Sequence, residues 1–301
     1  ENLLQVKYVL SQLNKKAKLI YKNAEGFVIK QFDRNTVWNI CNPTLAEKFN
    51  KMKKNCVDLS KICEIKVGMV SGLDSAFKIS NDFVKRLSKK EGEKIICVIK
   101  GNDMEQFFIK NKTFYICVDD VTTQTTLEKE YPNIFKHLLN YKNALTKRYD
   151  YNGTIEWWQW AFPRNRNTFI KNKENPKIFV PSKDRRPYSR FCYNEEFCFG
   201  TQDSVVLTSK GDSKFKEELK YILALLNSKL LNDWYKWNGI RRGDVRQYSF
   251  EPMKKIPIKL IDWKNKNEVN AYKKLIELSE KAIKGEKVEN EISKIVSELY
   301  G

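Results

Sequence analysis

The stretch EIKVGMVSGLDSAFKIS, Glu64 to Ser80, decides how the chain is read. An apolar run of Ile65, Val67 and Met69 breaks at Gly68 and again at Ser71-Gly72. It resumes at Ala76, Phe77 and Ile79. Small polar residues and Leu73 lie between the two pieces. That composition describes a tight, glycine-hinged loop set between buried segments, because glycine alone turns sharply without steric cost.

Outward from this loop the pattern is mixed. Residues 3–20 read as a helix, with Leu3, Leu4, Val9, Leu10 and Leu13 near one face, and GFVIKQF as a strand. Asn42 before Pro43 is a good helix start, and the helix should run to about Lys54. KIICVIK (94–100), KTFYICV (112–118), NPKIFVP (175–181) and DSVVLTS (203–209) read as strands. Residues 121–148 and 213–237 read as helical. The tail, 268–300, reads as two amphipathic helices broken near Gly285. Strands fill the first two thirds and helices dominate the last third, so the fold class is α+β: mixed small β-sheets, flanking helices and a helical C-terminal tail.

Among 301 residues, 41% are apolar, enough for a core. No window holds eighteen uncharged apolar residues, so no membrane span is expected. The start, ENLLQVKYVL, has neither the basic opening nor the apolar centre of a signal peptide, which suggests a cytoplasmic protein. It also lacks a Met, as a fragment or processed chain would. Seven cysteines form no C-x-x-C pair, so reduced thiols are expected, and neither a disulfide framework nor a zinc site.

Charge is the strongest signal. Fifty-six Lys and Arg against thirty-seven Asp and Glu give +19. Residues 141–190 carry a net +8 and residues 264–301 only +1. Concentrated positive charge favours a polyanion, since each neutralised phosphate releases counterions.

Catalytic patterns are scarce. The one histidine, His137, reads as a structural helix residue and cannot build a histidine metal cluster. There is no Walker loop and no G-x-S-x-G elbow. No catalytic residue and no metal ligand is assigned. Asp58, Glu64 and Lys66 loosely fit a metal-dependent nuclease, which stands as the enzymatic alternative.

Arginines cluster in loops instead. FPRNRNTF holds Arg164 and Arg166. PSKDRRPYSR holds Lys183, Arg185, Arg186 and Arg190 around Tyr188. NGIRRGDVRQY holds Arg241, Arg242 and Arg246 beside Gly239 and Gly243. A guanidinium can grip a phosphate or guanine with two hydrogen bonds, whereas Lys is a point charge. Trp157, Trp158 and Trp160 in IEWWQWAF could stack on a base, but core packing is the commoner fate of tryptophan.

KVGMVSGLDSAFKIS followed by VIKGNDMEQFFI resembles the C-terminal specificity domain of TaqI-type adenine-specific DNA methyltransferases, also found in type IIG restriction-modification enzymes. NPKIFVPSKDRRPYSRFCYNEEFCFGTQDSVVLTS, YILALLNSKLLNDWY, MKKIPI and the closing ENEISKIVSELYG continue the resemblance in the family's order, over residues 25–301. It implies that the glycine-hinged loop faces DNA, which makes Ser71, Leu73, Asp74 and Ser75 candidates for contact. It also implies double-stranded DNA as partner. The family's catalytic half binds S-adenosylmethionine and carries an Asn/Asp-Pro-Pro-aromatic motif; CNPT departs from that motif, and no glycine-rich cofactor loop is present. No cofactor is therefore expected in this chain, and S-adenosylmethionine belongs to the parent protein's N-terminal methyltransferase domain.

The expected organisation is a linker over 1–24, a target-recognition domain over 25–262 and a helical segment over 263–301. Gln202, Asp203, Arg185 and Arg246 are the expected base readers. Lys183, Arg186, Arg190, Arg241 and Arg242 are the expected phosphate contacts. The tail helices, nearly neutral, suit protein packing. A stand-alone specificity subunit of a restriction-modification complex is the further alternative.

Overall fold

The structure, a computed structural model, describes residues 43–52, 55–148, 155–211 and 214–301. Internal packing divides the chain into two units, Glu1–Lys54 and Asn55–Gly301. Of the first, the described part is the helix Pro43–Met52, which opens at its proline. The helix expected over 3–20, the strand GFVIKQF and the Asn42 cap lie outside the described residues.

In the second unit the long apolar runs become a central antiparallel sheet. Its order is β2 (Cys63–Val67), β10 (Ser204–Ser209), β6 (Lys177–Pro181), β8 (Cys192–Asn194). Val206 pairs with Lys66 on one side and Phe179 on the other. β6 and β10 are buried on both faces, which is why KIFVP and SVVLTS show no polar alternation.

A second sheet runs β3 (Lys78–Ile79), β5 (Thr113–Ile116), β4 (Ile95–Ile99), β9 (Cys198–Gly200), with β4 and β9 parallel. A third runs β11 (Ile240–Arg242), β12 (Val245–Gln247), β7 (Lys183–Asp184). β1 (Cys56–Asp58) pairs with β13 (Pro257–Lys259). The α+β class with small mixed sheets is what the sequence led us to expect.

The tryptophans are core. Trp158 and Trp160 are buried, and their indole N–H groups donate to Val121 O and Ile116 O, both at 2.9 Å. Trp160 packs against Phe77 and Tyr115. His137 is structural too. It sits between the Phe83 and Tyr141 rings, with Nε2 2.9 Å from Ala76 O.

One cysteine expectation is overturned. Cys97 and Cys198 face each other across β4 and β9, with Cα atoms 4.6 Å apart, and are joined as a disulfide. The partners are 101 residues apart, so no local spacing announces the pair. Cys63 and Cys117 are free, and burial pushes both thiols up to about 12.

Helical content concentrates late. The apolar pattern over 213–237 forms two helices, α1 (Leu219–Asn227) and α2 (Lys229–Asn238). Ser228 divides them and caps the second, accepting from Leu231 N. The tail forms α3 (Lys266–Ile283) and α4 (Glu289–Tyr300), parted by Gly285 at φ +92°. Both dock on the unit: Ser279 Oγ donates to Lys220 O at 2.9 Å, and Tyr300 Oη to Pro257 O at 2.8 Å. No helix among the described residues is long and apolar enough to cross a membrane.

Glu91 is a buried joint. Its carboxylate accepts from Ser88 N and from the amides of Asn133 and Ile134 at the start of the helix Pro132–Leu139. Burial alone would raise its pKa, but the donors from Asn133 and Ser88 outweigh burial and hold it below the usual carboxylate range. Its contribution is therefore present above the unfolded-state pKa and lost as pH falls through the lower folded value. We expect Glu91→Ala to cost about 2–3 kcal/mol at neutral pH, with the deficit shrinking on acidification. Urea melts at neutral and acidic pH check this, and an equal deficit at both would contradict it.

Candidate nucleic-acid interface

The candidate surface begins where β2 ends. A Cβ on Gly68 would lie 2.2 Å from the Gly200 carbonyl carbon, so only glycine permits this backbone contact. Met69 N donates to Gly200 O at 2.8 Å, and Val70 pairs with Phe162. The loop then folds inward. Ser71 is buried and its hydroxyl donates to Asp74 Oδ1 at 2.6 Å. Leu73 packs on the core.

Asp74 remains partly exposed. Burial would raise its pKa, but the paired Lys100 ammonium and the Ser71 hydroxyl hold it below the ordinary carboxylate value. Ser75 is exposed. Ser71 and Leu73 are thus corrected from contact residues to packing residues, because the loop closes on the protein's own backbone.

The turn after β9 is equally fixed. Asp203 accepts from the Thr201 hydroxyl and from Gly101 N at 3.1 Å, and its carbonyl accepts from Ser182 N at 2.7 Å. Asp203 is therefore framework, a correction of its expected reading role. Its neighbour Gln202 projects to solvent from the apex.

The arginines separate into two sets. Asp184 is 2% exposed and receives Arg190 through two hydrogen bonds, 2.9 and 3.1 Å. Arg190 also donates to Gly101 O and Met104 O. Arg246, likewise 2% exposed, donates to Asn232 Oδ1, Arg186 O and Tyr188 O. Its guanidinium stands 3.7 Å from Asp184. Arg190 and Arg246 are corrected from DNA contacts to internal struts, since both are buried and their terminal guanidinium nitrogens bond the protein's own oxygens.

The other set faces solvent. Lys183, Arg185, Arg186, Arg241 and Arg242 are exposed, and Tyr188 is half-buried. Arg186 contacts the Tyr188 hydroxyl at 3.1 Å, and Arg241 lies 5.6 Å over the Trp237 ring. Arg164 is exposed and lies 5.0 Å over Phe162. Arg166 is half-buried, with its charge acting on Asp119, whose pKa is raised by burial in spite of it.

Strand register separates Arg242 from Arg246, but not Arg241, which shares the Arg246 face and is exposed over the Trp237 ring. Arg241, Arg246 and Asp184 pair across the third sheet, so they share one face. Arg242 pairs with Val245, Ile240 with Gln247, and Gln247 with Lys183, so these share the opposite, outer face. Gly243, at φ +61°, opens the two-residue turn of this hairpin. On the outer side Lys183, Arg185, Arg242, Val245 and Gln247 line a basin of about 330 Å³. None of its three cations has an ionic partner among the described residues.

Gln247 and Val245 were not singled out from sequence. The Gly-Asp turn between two short alternating runs was the available signal, since it fixes which residues share a face.

Backbone contacts join these parts into one strip. Phe162 pairs with Val70, and Met69 with Thr201. Asp203 O accepts from Ser182 N, whose residue in turn accepts from Tyr248 N at 2.8 Å. β7, β12 and β11 complete the line. Arg164, Gln202, Lys183 and Arg242, all exposed, belong to the segments these contacts link. By contrast, Asp58 lies in β1 while Glu64 and Lys66 lie in β2, a different sheet. Among the described residues no group of three His, Cys, Asp or Glu could hold a metal ion.

Comparison with known proteins gives a consistent result. The TaqI-like C-terminal specificity domain matches residues 96–258. The Type II methyltransferase M.HindII of Haemophilus influenzae is 34% identical over 277 residues, covering 85% of this chain and 52% of that protein. M.HincII of the same species is 33% identical over 261 residues, covering 85% and 51%. M.MjaIV of Methanocaldococcus jannaschii is 31% identical over 186 residues, covering 62% and 61%. The chain thus spans about half the length of the Haemophilus relatives it matches. Among solved structures, the Type IIL restriction-modification enzyme MmeI in complex with DNA shares the fold, with a TM-score of 0.58 at 11% identity. That match covers 81% of this chain and 33% of that one.

Proposed function

Because the chain belongs to the TaqI-like C-terminal specificity domain family, we propose that it reads duplex DNA for a restriction-modification methyltransferase. Three exposed cations without ionic partners, gathered around one basin on a rigid small sheet, carry this reading. Lys183, Arg185 and Arg242 hold backbone phosphates there, and Gln202 and Arg164 extend the contact along the connected strip. Phosphate contacts fix register, and groups between them read base edges.

The methyl transfer, directed at adenine, belongs to a separate N-terminal part of the parent protein, which supplies the S-adenosylmethionine site. The glycine-hinged loop of this chain is filled by protein, Gly68 against Gly200 and Gly72 against the Ala161 side chain, which supports placing the cofactor in that other part. In this reading residues 25–262 recognise DNA, 1–24 lead from the methyltransferase domain, and 263–301 pack as a helical segment.

Gel-shift titration over a salt series tests it. The association constant should fall steeply as salt rises. Arg185→Ala and Arg242→Ala should each lower the slope of log K against log salt by about one and weaken all sequences alike. Binding that ignores salt, or no duplex binding, would rule the reading out.

A further inference from the structure

The outer face of the β11–β12–β7 sheet has a layout that phosphate binding does not explain. Strand register sets its side chains in two rows. One row is Ile240, Gln247 and Lys183. The other is Arg242 and Val245, with Arg185 beside them at the basin rim. Lys183, Arg242 and the apolar Ile240 occupy the outer strands, while an amide and a branched apolar group occupy the central strand. Gln247 is half-buried on the basin floor, and its side-chain amide makes no hydrogen bond to any described residue. Its main chain is held firmly, since Tyr235 Oη donates to Gln247 O at 2.8 Å. A primary amide on an anchored main chain, without a hydrogen-bond partner among the described residues and sharing a basin with three cations, is poised to bond a partner that brings negative charge with it.

We propose that Gln247 and Val245 read an A·T base pair from the major groove, with Lys183, Arg185 and Arg242 on the flanking phosphates. The proposal rests on the duplex-reading function and adds the residues and the base. A glutamine amide matches adenine uniquely among the bases, accepting from N6–H and donating to N7. A branched apolar group beside it suits the thymine C5-methyl, which lies on the same groove edge. A narrow β-ribbon is thin enough to enter the major groove, whereas the minor groove would offer the amide no way to orient the pair.

The experiment selects bound duplexes from a random library with the full chain, then repeats the selection with variants. Gln247→Ala should lose preference for adenine at one position, about 10- to 100-fold, with the salt slope unchanged. Gln247→Arg should move the preference at that position to guanine, which arginine bonds through O6 and N7. Arg242→Ala, in contrast, should keep the preference and lower the slope. Neither Gln247 variant removes a side-chain hydrogen bond or a backbone contact within the protein, so both should melt close to the unsubstituted protein.

Preferences in both Gln247 variants that match the unsubstituted chain at every position would overturn the assignment while leaving the duplex-reading function standing. An unsubstituted chain that selects no sequence would overturn both.

Discussion

Asp184→Ala is expected to destabilise the second unit by about 3–5 kcal/mol, the range for a buried charge left without its partner. Asp184 is 2% exposed and is the acid shared by Arg190 and Arg246, both themselves buried. It also accepts from Arg186 N at 3.1 Å, so it shapes the turn that presents Arg185 and Arg186. Removing it leaves two guanidinium groups in a poorly solvated interior, with only neutral carbonyl and amide oxygens around them. Arg242→Ala, on the solvent side of the same sheet, should change stability by no more than about 0.5 kcal/mol. Denaturant melts of the two variants side by side measure the contrast. Similar small losses in both would mean that the buried cluster does not hold this sheet together.

The second large effect is expected at Gly68→Ala. The added methyl would fall 2.2 Å from Gly200 C and O and 2.3 Å from Thr201 O. All three are backbone atoms, which cannot swing aside as a flexible side chain can. Relief requires parting β2 from the turn that follows β9, and with it breaking the Met69 N to Gly200 O bond. A loss of about 4 kcal/mol or failure to fold is expected. Gly92→Ala is the control: it sits in a short helix with open space around its Cβ position, so it should be neutral or gain up to about 1 kcal/mol. Thermal melts of both variants decide, and a Gly68→Ala protein as stable as Gly92→Ala would refute the close contact.

These residues show where sequence reading succeeds and where it stops. Continuous apolar runs such as KIFVP mark strands buried on both faces, because such strands need apolar residues throughout. The Gly285 break between α3 and α4 was visible because a glycine parts two periodic segments. Arg242 and Arg246, however, look alike in IRRGDVRQY. The hairpin turn puts them on opposite faces, but nothing local says which face is inward. That is settled by Asp184, about sixty positions earlier, and by Asn232 on α2. Arg190 misled for the same reason, since its partners Gly101 and Met104 lie about ninety residues upstream. The glycine-hinged loop was recognised as a tight turn. Its inward closure through Ser71 depended on Arg148 and Ala161, which donate to the Ser71 carbonyl.

Arginine-selective labelling with a dicarbonyl reagent, read by mass spectrometry with and without a duplex selected from a random library, tests the central claim most directly. Arg185 and Arg242 should label readily in the free chain and be protected by the duplex, while Arg190 and Arg246 stay unlabelled in both states. Equal labelling of Arg185 and Arg242 with and without DNA would contradict the account.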